Sequence, residues 1–176
     1  MTAGTSAPAP ALPACLDAIF DHAAVAARRI RDLLPLYRDV LGGEFHLGGD
    51  NPRNGYRAVQ LHYRDGSKVE LMEPLAGSSF FDSFFRRNPN GGLHHVTFKV
   101  ESMERALRVL RENGWSVHGE SDADPDWYEV FLHPRDAFGT LVQIAQPGPG
   151  HGPDTEFGIE ELLAGHGSNG TGVPSP

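Results

Sequence analysis

The chain has 176 residues, 39% hydrophobic and 22% charged, the composition of an ordinary globular domain or of two small modules sharing a core. Its formal net charge of -8 argues against a binder of phosphate backbones, which needs a basic face. One cysteine, Cys15, excludes an internal disulfide and a thiolate metal cluster and suits a reducing, cytoplasmic setting, and no apolar run approaches the ~20 residues that span a bilayer.

In chain order, residues 1–16 are rich in Ala and Pro and read as a flexible arm, without the charged start and apolar stretch of a signal peptide. Ile19 to Ala26 reads as a strand. Asp32 suits a helix N-cap, and Leu33, Leu34, Tyr37, Val40 and Leu41 follow at helical spacing, with Pro35 in the first turn and Gly42–Gly43 as the stop. Extended segments follow at Glu44 to Leu47, Tyr56 to Tyr63 and Lys68 to Glu73, the last two joined by an Asp65-Gly66 hairpin signal. Phe80, Phe81, Phe84 and Phe85 suggest a short amphipathic connector helix whose rings pack in the core.

The same order then recurs. His95 to Val100 reads as a strand, and Ser102 caps a helix carrying Met103, Ala106, Leu107 and Leu110 on one stripe. Strands follow at Trp115 to His118, Trp127 to His133 and Thr140 to Gln146. The expected fold is α+β: two βαβββ modules, about 17–77 and 91–147, related by a pseudo-twofold, with curved mixed sheets around a cleft. Residues 148–176 form a Gly/Pro-rich tail in which Ile159 to Leu163 suits a short helix.

The repeat is testable residue by residue. A shift of 73 lays FDHAAVA (Phe20 to Ala26) on LHHVTFK (Leu93 to Lys99) and VELMEP (Val69 to Pro74) on VQIAQP (Val142 to Pro147). His22 lands on His95, and Glu70 lands on Gln143, so each pair is 48 residues apart. Two His and a carboxylate suit a borderline divalent ion, and Gln adds a carbonyl oxygen. Pseudo-twofold pairing, within one chain or across a dimer, brings the four to one point and leaves positions open for substrate oxygens. The shift selects His95 over His94, which falls opposite Asp21, and strand alternation points His94 to the other face.

FDHAAVA, YRDVLG, VELMEP, GLHHVTFKV and FLHPRDAFGTLVQIAQP together resemble the vicinal oxygen chelate superfamily, which includes glyoxalase I, methylmalonyl-CoA epimerases, extradiol dioxygenases and fosfomycin- and bleomycin-resistance proteins. The resemblance covers about residues 19 to 147 and is strongest, over GLHHVTFKV and FLHPRDAFGTLVQIA, to the methylmalonyl-CoA epimerases. It implies a divalent metal (Co, Ni, Mn, Zn or Fe) on His22, Glu70, His95 and Gln143, and a homodimer acting on a small molecule, an acyl-CoA or anionic oxygenated acid. Two positions depart from that pattern. The last ligand is normally Glu and here is Gln143, and the usual non-ligand Glu before a Gly is replaced by Arg53 or Asn54 in NPRNGYR.

Two neutral His, one Glu and one Gln leave a divalent ion near +1, which favours an enolate oxygen pair. An epimerase or isomerase working through an enolate is therefore expected, with Glu70 as the base and His46, His62, Glu44, Glu129 and Tyr128 as further candidates. Arg53 and Arg57 are candidate contacts for a substrate carboxylate. The alternatives are a glyoxalase-type lyase or specialised-metabolism enzyme, an oxygenase, and a non-catalytic binding or resistance protein.

Overall fold

A computed structural model describes residues 15–152 and 158–165. Most of the N-terminal arm and much of the C-terminal tail lie outside the described residues. The strands are β1 (Ile19–Ala26), β2 (Glu44–Asn51), β3 (Tyr56–His62), β4 (Lys68–Pro74), β5 (Gly92–Lys99), β6 (Val117–Asp124), β7 (Trp127–Leu132) and β8 (Leu141–Pro147). The helices are α1 (Asp82–Arg87), α2 (Met103–Glu112) and α3 (Ile159–Leu163). Among the described residues, no helix is long and apolar enough to cross a membrane.

All eight strands form one curled mixed sheet, ordered β2-β3-β4-β1-β5-β8-β7-β6. Each module contributes four adjacent strands, with β1 parallel to β4 and β5 parallel to β8. The modules join within the chain, because β1 pairs antiparallel with β5.

Strand alternation sorts the residues onto two faces. Val59, Leu61 and Leu71 pack with Ile30 and Leu34 on the convex side of module one. Val130, Leu132 and Ile144 pack with Met103, Leu107 and Leu110 of α2 on the convex side of module two. The concave face carries His22, Gln60, Glu70, Thr97 and Gln143, flanked by Ala24, Ala26 and Met72, which pack with Phe81 and Phe85 of the α1 segment. Leu162 of α3 is buried in the module-one core, and Glu160 pairs with Arg31 at 2.8 Å and Arg38 at 2.9 Å.

The first crossover differs from the sequence expectation. It is a 3-10 turn over Ile30–Asp32 followed by a π-helical segment over Pro35–Val40. The segment starts at Ile30, not after Asp32. Asp32 turns back to pair with Arg29 at 2.7 Å, and the free N–H of Ile30 donates to Glu73 Oε2 at 2.6 Å. Pro35 lacks an N–H and so cannot extend a regular i→i−4 ladder from the preceding turn. In module two, Ser102 Oγ accepts from Arg105 N as expected of an N-cap. There the first helical N–H, on Met103, donates to Gln146 Oε1 at 2.7 Å.

Glu73 and Gln146 are 73 residues apart, so the same clip, from last strand to crossover, is used twice. In module one it is charged, and Glu73 also lies 3.4 Å from Arg57. Charged acceptors contribute about 1.5–3 kcal/mol and neutral ones about 1. Glu73→Ala is therefore expected to lower the urea midpoint by the equivalent of about 2 kcal/mol, and Gln146→Ala by about half of that. Equal losses would remove the charge argument.

Candidate active site and metal centre

Two β-bulges build the centre. Between Phe20↔Phe98 and His22↔Thr97 the register gains one residue on β1, which leaves Asp21 unpaired. Between Ala24↔His95 and Val25↔Leu93 it gains one on β5, which leaves His94 unpaired. A bulge interrupts alternation and re-aims side chains. Asp21 and His22 therefore share the concave side, as do His94 and His95. This corrects the expectation that His94 points away: its ring lines the cleft, with Nδ1 2.9 Å from His95 Nδ1.

The structure brings together three of the four expected ligands. His22 Nε2 lies 3.8 Å and His95 Nε2 3.7 Å from Glu70 Oε2, and one ligand atom from each residue falls within 4.8 Å of the others. Ligands about 2.0–2.2 Å from one ion stand roughly 3–4 Å apart, so a small contraction closes the set. His95 Nε2 is buried and has no hydrogen-bond partner among the described residues, as a metal-facing nitrogen requires. His22 Nδ1 meets Asp21 Oδ2 at 2.7 Å, the carboxylate–histidine contact that aims Nε2 into the centre. Burial alone would raise the Asp21 carboxyl, but hydrogen bonds from His22, Lys68 and Lys99 outweigh it and hold it well below the usual range.

Gln143 stands at the edge of this set. Its carbonyl accepts from Thr97 Oγ1 at 2.5 Å, and its amide donates to Glu129 Oε2 at 2.5 Å. Glu129 Oε2 also accepts from Trp127 Nε1 at 3.2 Å, while Oε1 accepts no protein hydrogen bond among the described residues. Burial raises the Glu129 carboxyl, and the charges of Glu70 and Asp124 add to the rise. Of the further candidate bases, Glu129 is the one that lines the cleft. Tyr128, one residue before it, lies on the opposite face and donates to Glu120. Glu44 and His62 meet at 3.5 Å at the end of the β2–β3 pair, where the His46 ring meets His62 edge-on. Arg57 is engaged on the convex side by Asp50 and Glu73, whereas Arg53 lines the cleft.

Two site residues were missed in the sequence. Gln60 stands opposite Glu70 on β3, 3.5 Å from Glu70 Oε1. Counting back from the Asp65-Gly66 turn finds it, since the hairpin register pairs positions that are symmetric about that turn. Thr97 lies two residues beyond His95 and therefore on the same face; it touches His22 Nε2 at 3.0 Å.

The centre opens into a cleft of about 1400 Å³. Phe80, Phe84, Leu93 and His94 line one side, and Trp127, Glu129 and His151 line another. The Tyr56 hydroxyl, raised by burial and by the nearby Glu70 and Glu129 carboxylates, stays protonated on the module-one side.

A sequence-family model, the Glyoxalase/Bleomycin resistance protein/Dioxygenase superfamily, matches residues 21–131. The chain belongs to this superfamily. Its sequence is 32% identical over 129 residues to an ethylmalonyl-CoA/methylmalonyl-CoA epimerase of Cereibacter sphaeroides, covering 72% of this chain and 96% of that protein. It is 32% identical over 128 residues to the mitochondrial methylmalonyl-CoA epimerase of Mus musculus, covering 72% and 71%. Its fold matches the crystal structure of methylmalonyl-CoA epimerase from Mycobacterium tuberculosis with a TM-score of 0.66 and 26% identity, over 74% of this chain and 88% of that one. The paired modules and the curled sheet are the fold of this superfamily, and the epimerase relatives mark the chain as an enzyme of the epimerase or isomerase type.

Two buried imidazoles set a pH dependence for the metal-free protein. Burial lowers His94 from 6.5 to about 4. Burial, followed by the charges of His94 and His22, puts His95 well below 6.5. An imidazole lowered on folding binds fewer protons in the native than in the unfolded chain. Its stabilising effect is full above the unfolded value and is lost as pH falls toward the folded one. Glu129, raised on folding, opposes this, as one group against two. The urea midpoint of chelator-treated protein is expected to fall steadily from about pH 6.5 to about pH 4. A flat profile across that window would contradict the burial of both rings.

Proposed function

We propose that the chain is a divalent-metal-dependent epimerase of short 2-substituted malonyl-CoA thioesters, acting through an enolate. The observation that carries this reading is Glu129. It is a buried carboxylate on the wall of the cleft that holds His22, Glu70 and His95, with one oxygen fixed by Trp127 and Gln143 and the other unengaged.

His22, Glu70 and His95 would hold the ion, with Gln143 as the fourth candidate, and the bound ion supplies Lewis-acid stabilisation of enolate charge. Every other role falls to the chain's own side chains. Asp21 fixes the His22 ring, and Gln143 and Trp127 hold Glu129 Oε2 and leave Oε1 without a protein partner among the described residues. Burial moves the Glu129 carboxyl toward the range in which a general base works near neutral pH. Glu129 takes the proton from the acidic carbon between thioester and carboxylate. Glu70, on β4 of the other module, is the second carboxylate: detached from the ion and protonated by solvent, it would deliver a proton to the opposite face of that carbon, and Glu129 would return its own proton to solvent. The epimerase relatives support this substrate class. The Arg53, Arg87 and Arg135 side chains along the cleft supply positive charge for its carboxylate and phosphates. The single cysteine supports a cytoplasmic setting, and the exposed Ile19 and Phe20 support a homodimer.

Incubation with methylmalonyl-CoA in deuterium oxide is expected to exchange the C2 proton, as read by mass spectrometry, and to interconvert the C2 epimers. Glu129→Gln should lower exchange by about 10²–10⁴-fold while leaving metal affinity and the melting temperature close to wild type. Exchange by that variant at the wild-type rate would remove Glu129 from the reaction.

Chelator treatment should abolish exchange, and one equivalent of Co(II) or Zn(II) should restore it and raise the melting temperature. Persistent exchange without metal would overturn the metal-dependent reading.

A further inference from the structure

The structure assigns His94 a double positioning role: through Nδ1 it locks His95 in its ligating tautomer, and through Nε2–H it offers the cleft a neutral donor for an acyl carbonyl oxygen. The lock rests on the metal-centre geometry alone, and the donor half rests on the acyl-CoA reading.

The 2.9 Å contact between His94 Nδ1 and His95 Nδ1 accommodates one proton between two ring nitrogens. If His94 supplies it, the His95 proton must sit on Nε2. That proton would then point at the centre and block the lone pair that lies 3.7 Å from Glu70. If His95 supplies it, Nε2 is free to ligate and the His94 proton must sit on its own Nε2. The ligating arrangement of His95 thus dictates the tautomer of His94, and the reverse also holds.

Module one solves the same problem differently. Asp21 occupies the equivalent bulge and accepts from His22 Nδ1 at 2.7 Å. A carboxylate fits there because Lys68 and Lys99 each reach it at 2.7 Å. At the module-two bulge the wall is aromatic: the His94 ring packs edge-on against Phe81 and Phe84, with centroids 5.2 and 5.1 Å away. An unpaired carboxylate would be costly in that wall, whereas a neutral imidazole accepts the same hydrogen bond without charge.

It also gains what Asp21 lacks, an outward N–H. Among the described residues His94 Nε2 has no hydrogen-bond partner, and the ring lines the cleft beside Phe80 and Leu93. A single neutral donor in an apolar wall suits a thioester carbonyl better than a phosphate or carboxylate, which draws charged partners.

Three variants separate the two halves. Asn places a carbonyl near the position of Nδ1 and nothing near Nε2; Gln places an amide near Nε2 and nothing near Nδ1; Phe removes both. Chelator-stripped full-length protein is titrated with Co(II), read by its visible absorption. H94Q and H94F are expected to weaken cobalt affinity by about 10–100-fold, while H94N stays near wild type. Methylmalonyl-CoA binding is then measured calorimetrically at saturating cobalt. H94N and H94F should lose roughly tenfold, and H94Q should stay near wild type. Wild-type cobalt affinity in H94Q, or a loss in H94N as large as in H94F, overturns the lock. Wild-type methylmalonyl-CoA affinity in H94N overturns the donor. If the wild-type protein binds no acyl-CoA, the donor half falls with the substrate reading, and the cobalt titration still decides the lock.

Discussion

β1 and β5 pair antiparallel across the pseudo-twofold, and every element of the cleft takes its place from that contact. Seven paired backbone positions on each strand join two sheets into one, so the concave faces of both modules meet without a dimer partner. The pairing is interrupted twice, at equivalent positions, by an extra residue. Each interruption places two consecutive polar side chains on one face. One of each pair enters the centre, and its neighbour orients it. Without the bulges, Asp21 and His94 would project to the convex side, into apolar packing, and both imidazoles would lose the partner at Nδ1.

That arrangement concentrates polar groups where water is scarce, and the surrounding residues make it tolerable. Asp21 is buried yet meets three cations or donors, His22, Lys68 and Lys99. Glu70 faces two imidazoles and the Gln60 amide. Glu129 has an indole and an amide N–H on one oxygen. Among the described residues three buried side-chain atoms have no partner, and two of them, His95 Nε2 and Gln60 Oε1, belong to this cluster; the third, His62 Nδ1, lies at the end of β3. Orphaned groups gathered at one point mark a place built for a guest.

Much of this was legible in the sequence because duplication writes the same spacing twice. The shift of 73 aligned His22 with His95 and Glu70 with Gln143. The expected strands lie within a few residues of the observed ones except β2, which runs on to Asn51, and β6, which spans Val117–Asp124 rather than Trp115 to His118. Three things resisted reading. The first crossover held helical spacing over Leu33 to Leu41 yet folded as a 3-10 turn and a π-helical segment, because hydrophobic spacing does not report which backbone ladder Pro35 permits. The facing of His94 was misread because alternation assumes an unbroken ladder, and a bulge leaves no mark in one strand's composition. Glu129 was one candidate among several because its role depends on the register of β7 against β8, in which Val130 pairs with Ile144 and Glu129 therefore reaches Gln143 diagonally.

The remaining asymmetry between the modules has a single electrostatic logic. Tyr56 and Trp127 occupy equivalent places beside Pro74 and Pro147, so Ala58 is the module-one counterpart of Glu129. Module one carries Glu70 with Ala58, and module two carries Gln143 with Glu129. At these two pairs of equivalent positions each module thus carries one carboxylate, on different strands. A Glu at position 143 would put a second carboxylate at 2.5 Å from Glu129 Oε2, where like charges cannot both ionise. It would also remove the N–H that holds Glu129 in place. The amide at 143 is therefore the partner that a base at 129 requires. Exchanging it for the carboxylate common among related enzymes would alter the Glu129 proton affinity before it altered any ligand set. A change in exchange activity at that position consequently has to be read through Glu129 as well as through the metal centre.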